Sequence, residues 1–162
     1  MKISKINITN FRSIERSEFS VTDFNIFVGQ NNCGKTNFFE AIEFFYNGIG
    51  KGKNIDDLKF KRESANQIIV EISFTGALAG ANQMQNQANK TKILNALSGS
   101  DNVVFKRSSE TPTKRKIYVN DQEVNPGAGF DAALNDFLPK FEYVNTKQYY
   151  DSVAKYTKTT PI

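Results

Sequence analysis

Histidine and tryptophan are absent from the 162-residue chain, and cysteine occurs once. Without histidine there is no Ser-His-Asp triad, no histidine general base and no histidine-ligated zinc site. The single cysteine, Cys33, excludes an internal disulfide and any cysteine-pair metal site. No run approaches the ~20 apolar residues that span a bilayer. Met1-Lys2-Ile3-Ser4-Lys5 lacks the apolar block of a secretion signal, so the expectation is a cytoplasmic protein without membrane contact. Charge imbalance is small as well: 21 Lys and Arg against 17 Asp and Glu, a formal +4. That excess permits nucleic-acid contact without arguing for it. Asp56-Asp57 and the scattered glutamates form no recognisable metal-binding carboxylate set, so no nuclease site is expected.

What the chain does have is phenylalanine, 14 residues of it, within an ordinary hydrophobic fraction of 39%. Its length suits one domain with a real core. It also has Gly29-Gln30-Asn31-Asn32-Cys33-Gly34-Lys35-Thr36, which fits G-x-x-x-x-G-K-[ST]. In this loop the backbone N-H groups converge on phosphates, and the helix that follows adds its unpaired N-terminal donors and the positive end of its dipole. The residue types assign Lys35 to the β and γ phosphates of ATP and the Thr36 hydroxyl to Mg²⁺, with Gly29 and Gly34 allowing the tight turn. Context agrees: Phe24-Asn25-Ile26-Phe27-Val28 reads as a short buried strand, and Phe38, Ala41, Ile42 and Phe45 mark one face of a helix over 35–47. A glycine turn that merely caps a helix needs neither the lysine nor the paired glycines.

Along the rest of the chain, strands are expected over Ile3 to Asn10 and Glu18 to Val21 before the one at Phe24. Residues 48–66, with breakers at Gly48, Gly50 and Gly52, read as a polar, mobile connection with a short turn at Asp56 to Leu58. Gln67 to Thr75 is expected to be a half-buried antiparallel strand with Ile68, Val70, Ile72 and Phe74 on one face. Glu71 then falls on the other face and is not the carboxylate that ends an aliphatic Walker B run. One amphipathic helix is expected through Met84, Ala88, Thr91, Ile93, Leu94 and Leu97, ending before Ser98-Gly99. Val103 to Phe105 and Ile117 to Val119 read as paired strands, Asn120-Asp121 as a tight turn into Gln122 to Val124, Phe130 to Leu138 as a helix stopped by Pro139, and Phe141 to Val144 as a last strand.

The opening Ile6-Asn7-Ile8-Thr9-Asn10-Phe11-Arg12-Ser13-Ile14, followed by Phe27-Val28 and the loop through Asn37, resembles the N-terminal lobe of ABC-type ATPase heads in the RecF, SMC and OLD families. The match covers residues 1–47. It implies a mixed α/β (α+β) fold: a P-loop NTPase lobe with an antiparallel β portion, incomplete as a head. The chain, 1–162, is then a single N-terminal lobe, with strands, loop and first helix in 1–47 and a β-rich portion with helices in 67–145. The resemblance implies ATP and Mg²⁺ bound by Gly29, Gln30, Asn31, Asn32, Cys33, Gly34, Lys35, Thr36 and Asn37. It also implies ATP sandwiched between two protomers, and a C-terminal half of the head carrying the signature loop and catalytic carboxylate. Leu97-Ser98-Gly99-Ser100 has neither the position nor the context of a signature and reads as a helix end.

The same resemblance places Arg12 near the nucleotide, although a surface residue after a strand fits as well. It offers Gln148 as the Q-loop residue that senses Mg²⁺ and the attacking water, with an ordinary polar loop residue as the other reading. Lys106, Arg107, Lys114, Arg115 and Lys116 lie on the expected hairpin, where they either touch DNA phosphates or form a solvated surface. The leading reading is the ATP-binding lobe of a DNA-acting ATPase, with hydrolysis depending on the missing half. A nucleotide-regulated binding module that never hydrolyses ATP is one alternative. A small P-loop kinase is another, disfavoured by the lack of alternating strand-helix units.

Overall fold

The computed structural model describes residues 1–31, 33–50 and 52–142. In chain order these form β1 (Lys2–Phe11), β2 (Ile14–Ser20), α1 (Lys35–Asn47), β3 (Ile69–Thr75), α2 (Ala77–Asn82), α3 (Gln87–Leu97), β4 (Val103–Ser108), β5 (Lys116–Val119), β6 (Gln122–Val124) and α4 (Phe130–Phe137), with two 3-10 turns at Ile55–Leu58 and Phe60–Arg62. The strands make one six-stranded sheet in the order β2-β1-β3-β4-β5-β6. Every neighbouring pair is antiparallel.

Directly paired residues share a face of a sheet, so the register shows how the sequence divides it. Ile6 pairs with Ile72, Ile72 with Phe105, Phe105 with Ile117 and Ile117 with Val124, giving an apolar row across five strands. Ile8, Val70 and Arg107 form the next row on the same face. The opposite face carries Asn7, Glu71, Lys106 and Lys116 in one row. Its charges pair laterally: Lys5 with Glu18 at 2.7 Å, Lys106 with Glu71 at 3.4 Å and Lys116 with Glu123 at 3.0 Å. One face must therefore be covered, and α1 lies against β1, β3 and β4. It buries Phe38, Ala41, Ile42, Phe44 and Phe45 there. α4 adds Phe137, whose ring meets Phe105 edge-on at 6.2 Å, and α3 packs beside it.

Several expectations hold at the level of elements. α1 spans 35–47 as expected and ends at Gly48. β3 is antiparallel, with Val70, Ile72 and Phe74 buried and Glu71 on the opposite side. Asn120 and Asp121, both at positive φ (50° and 63°), make the two-residue turn between β5 and β6 that suits the twist of a hairpin. Leu97 ends α3 with Ser98 left-handed at φ 49°, which confirms 97–100 as a helix end.

Others are corrected. Phe24 to Val28 is not a strand: Phe24, Ile26 and Val28 are 79%, 72% and 90% exposed. Local side-chain bonds replace the ladder, with the Thr22 hydroxyl donating to the Phe24 carbonyl at 2.8 Å and the Asn25 amide to the Thr22 carbonyl at 2.8 Å. The helix expected from Met84 begins only at Gln87, because Asn86 caps α3 by accepting from the Asn89 N-H at 3.1 Å, and the separate short α2 ends before Met84. The 48–66 connection is anchored: Leu58 is buried, its carbonyl accepts from the Arg12 N-H at 2.7 Å, and Lys59 bridges to Phe11. Phe141 and Glu142 carry no strand, while the rest of that expected strand and Gln148 lie outside the described residues.

Candidate phosphate-binding site

Gly34 opens α1 with φ +95° and ψ 2°, a left-handed conformation that a side chain rarely adopts. This turn swings the chain from the loop into the helix with no side-chain cap and no acidic residue in the first turn. The first N-H groups of α1 are thus free of a carboxylate competitor at the end where the dipole attracts anions. Lys35 folds back over the loop. Its ammonium donates to the Gly29 carbonyl at 2.6 Å and the Gln30 carbonyl at 2.7 Å, and lies 3.5 Å from the Cys33 sulfur. A strong cation is therefore held inside the turn of the loop, ringed by main chain.

Thr36 stands exposed in the first turn of α1. A lone hydroxyl fits Mg²⁺, a hard cation that keeps most of its waters and takes further oxygens from phosphates, so Thr36 is the residue that would hold it. Among the described residues no group of three or more acidic or cysteine side chains could hold a metal by itself. Asp56 is committed to Lys59 at 2.9 Å.

The two stretches that carried the family resemblance meet in space. The two-residue turn Arg12-Ser13 between β1 and β2 packs on the first turns of α1. The Asn37 amide donates to the Ser13 hydroxyl at 2.7 Å, and a side chain on Gly34 would come within 3.1 Å of that same oxygen. One turn further along, Arg12 Nε lies 2.8 Å from Glu40 Oε2. Neither buried atom has an aligned hydrogen bond, so charge rather than directed bonding holds this pair. Asn37 thus braces the loop against the sheet, and Arg12 is turned toward α1. A cleft of about 1020 Å³ lies beside the loop, its lining including Cys33, Gly34, Lys35 and the rings of Phe19, Phe27 and Phe38. Of the expected ligands, Asn32 and Gln148 lie outside the described residues.

The basic hairpin cluster, read as either a DNA contact or a solvated surface, is divided between exposed and buried positions. Lys106 and Lys116 are on the polar face, paired with Glu71 and Glu123. Arg107 and Arg115 are only 4% and 5% exposed. Alternation from Val103 and Phe105 carries Arg107 to the buried face, a period-two signal present in the sequence and overridden there by the density of basic residues. Arg115 forks onto Asp131, Nε to Oδ1 at 2.9 Å and Nη2 to Oδ2 at 3.1 Å, and also reaches Asn135 Oδ1 at 2.7 Å.

A family model described as an AAA ATPase domain matches residues 1–159. Among curated proteins, the chain is 40% identical over 75 residues to the DNA double-strand break repair Rad50 ATPase of Thermoplasma acidophilum, covering 46% of this chain and 8% of that protein. It is 39% identical over 70 residues to the RecF replication and repair protein of Haemophilus ducreyi, covering 43% and 17%. It is 23% identical over 177 residues to the Old nuclease of Escherichia phage P2, covering 98% and 27%. The chain therefore spans about a quarter or less of the length of these relatives. Among solved structures, a chain from work on ATP-driven dimerization and DNA-stimulated activation of SMC ATPases superposes with a TM-score of 0.57 at 19% identity, over 98% of this chain and 92% of that one. The Smc head of Pyrococcus yayanosii does so with a TM-score of 0.57 at 20% identity, over 99% and 30%. The mixed α/β P-loop lobe with an antiparallel sheet, expected from 1–47, is the fold observed. This chain belongs to the AAA ATPase domain family, with Rad50, RecF and Old proteins among its relatives.

Proposed function

We propose that the chain is the ATP-binding lobe of an ATPase that acts on DNA in repair or phage defence, and that it binds ATP with Mg²⁺ through 29–37. The observation that carries this reading is the Lys35 ammonium held between the Gly29 and Gln30 carbonyls at the uncapped start of α1. Incoming phosphates replace those carbonyls as partners of Lys35. The loop and helix N-H groups take the remaining phosphate oxygens, Thr36 takes the metal, and Arg12 stands close enough to α1 to be recruited from Glu40. Relatives named for break repair, replication repair and nuclease action support DNA as the substrate class.

Hydrolysis requires more than this cradle: a carboxylate must orient water, and charge on the γ phosphate must be stabilised. Glu71, the one acidic residue at the end of an aliphatic run, is spent on Lys106 across the polar face. A second half of the head and a second protomer are the proposed sources of the remaining groups. Phe24, Ile26 and Val28, exposed beside the loop, support a further packing partner there, since each would gain roughly 1.5–3 kcal/mol on full burial. Calorimetric titration with ATP and Mg²⁺ tests the reading: saturable binding that Lys35→Ala weakens roughly tenfold to a hundredfold, with turnover near background. Absence of binding defeats it, and multiple turnover by this chain alone places the catalytic carboxylate within it. Saturable binding with no turnover in any longer form of the protein favours a nucleotide-regulated binding module. The wholly antiparallel sheet weighs against a small kinase, whose alternating units build a parallel one.

A further inference from the structure

At the end of α1 away from the loop, a cavity of about 570 Å³ lies between Gly48 and Ile49, the segment around Pro112, and α4. Its charged lining consists of Arg107, Arg115 and Asp131. Asp131 is matched to Arg115 by the two-bond fork, so the Arg107 charge is left in excess. Of the five donors of a guanidinium, Arg107 uses Nη1 on the Pro112 carbonyl at 2.6 Å, and its Nε is fully buried with no acceptor among the described residues. That Nε is closed off from the cavity, so what Arg107 offers there is Nη2, which has no hydrogen bond to any described residue.

The neutral groups around it are donors too. Asn135 gives its oxygen to Arg115, which leaves its amide N-H groups for the cavity. Burial pushes the Tyr46 phenol up to about 12, against the opposing charge of Arg115, so it remains a neutral O-H donor. Burial first, and the charge of Arg115 second, push the Arg107 guanidinium down to about 10 despite Asp131. The fold thus concentrates positive charge and donors where it pays a desolvation cost for them. Gly48 makes the arrangement sterically possible: at φ +71°, a side chain there would lie 2.9 Å from the Pro112 carbonyl that holds Arg107.

We propose that this cavity is a second anion site, separate from the phosphate loop, that takes the phosphate or carboxylate group of a small organic ligand on Arg107, with Asn135 and Tyr46 as neutral donors. Its volume exceeds a bare oxoanion and lies within the range of small-molecule sites. The site does not depend on the reading of the loop.

The test uses the full chain carrying Lys35→Ala, which weakens phosphate binding at the loop, with inorganic phosphate and acetate titrated separately at constant ionic strength while the side-chain N-H signals of Arg107 and Asn135 are followed by NMR. Saturable shifts of these signals with at least one anion are expected, phosphate alone or acetate alone identifying the preferred group. Asn135→Asp, which supplies a second carboxylate without shortening the side chain, is expected to weaken that binding at least tenfold. Arg107→Lys, which keeps the charge and removes the guanidinium's planar donors, is expected to weaken it as well. Shifts that do not saturate, that stay confined to 29–37, or that persist unchanged in Asn135→Asp overturn the proposal.

Discussion

The ammonium of Lys35 lies 2.6 Å from the carbonyl oxygen of Gly29, so the lysine of the loop is partnered by the first glycine of the same loop. That contact is local and solvent-exposed, and it adds little to folding. Lys35→Ala should leave the unfolding midpoint nearly unchanged while removing a charge-assisted contact to phosphate of about 1.5–3 kcal/mol, roughly a tenfold to hundredfold rise in the Kd for ATP with Mg²⁺. Calorimetry alongside a denaturant melt separates the two effects.

Cys33 is exposed and sits 3.5 Å from Lys35. Phosphates filling the loop should cover its sulfur, so ATP with Mg²⁺ is expected to slow alkylation of Cys33 several-fold, and the same ATP concentration is expected to protect Lys35→Ala less. Equal labelling rates with and without nucleotide in the parent chain would count against a formed site.

Phe45, fully buried on α1, fixes the helix whose N-terminus is the candidate site. Phe45→Ala should cost about 3–5 kcal/mol, measured by urea unfolding.

Asp131 joins the segment before β5 to the first turn of α4. Burial opposes its ionisation, but hydrogen bonds to Arg115 and the charges of Arg115 and Arg107 outweigh that and hold its carboxyl below the ordinary carboxylate value. A carboxylate depressed in the folded state contributes stability that is full above its unfolded pKa, about 3.9, and is lost as pH falls through the folded value. Thermal midpoints should therefore drop as pH falls below about 4, and Asp131→Asn should lower the neutral-pH midpoint and flatten that part of the profile.

The apolar trio beside the loop is expected to behave as a surface in this chain. Replacing Phe24, Ile26 and Val28 together with serine should change its stability by no more than about 0.5 kcal/mol per site, as for surface positions in general. It should also reduce self-association in sedimentation. A large loss of stability would show that these residues support the fold itself.

Sequence by itself determined the elements whose physics is local. The octapeptide with its flanking helix marked out the candidate phosphate site, because each residue type there has a task that spacing alone can display. Alternation in Ile68 to Thr75 placed Glu71 on the polar face, where the structure pairs it with Lys106. Tertiary structure alone decided what depends on distant partners. Phe24 to Val28 has the pattern of a strand, but a strand exists only where a neighbour accepts its hydrogen bonds, and no strand of this sheet does so. Arg107 and Arg115 look like surface charge in a basic run, although alternation from Val103 and Phe105 points Arg107 inward. Only the folding of β4 against α1, and of α4 onto the segment before β5, takes them out of water and sets them against Asp131. Lastly, Arg12-Ser13 and Asn37-Glu40 are separate stretches in the chain that become one brace for the loop because the turn between β1 and β2 lands on the first turns of α1.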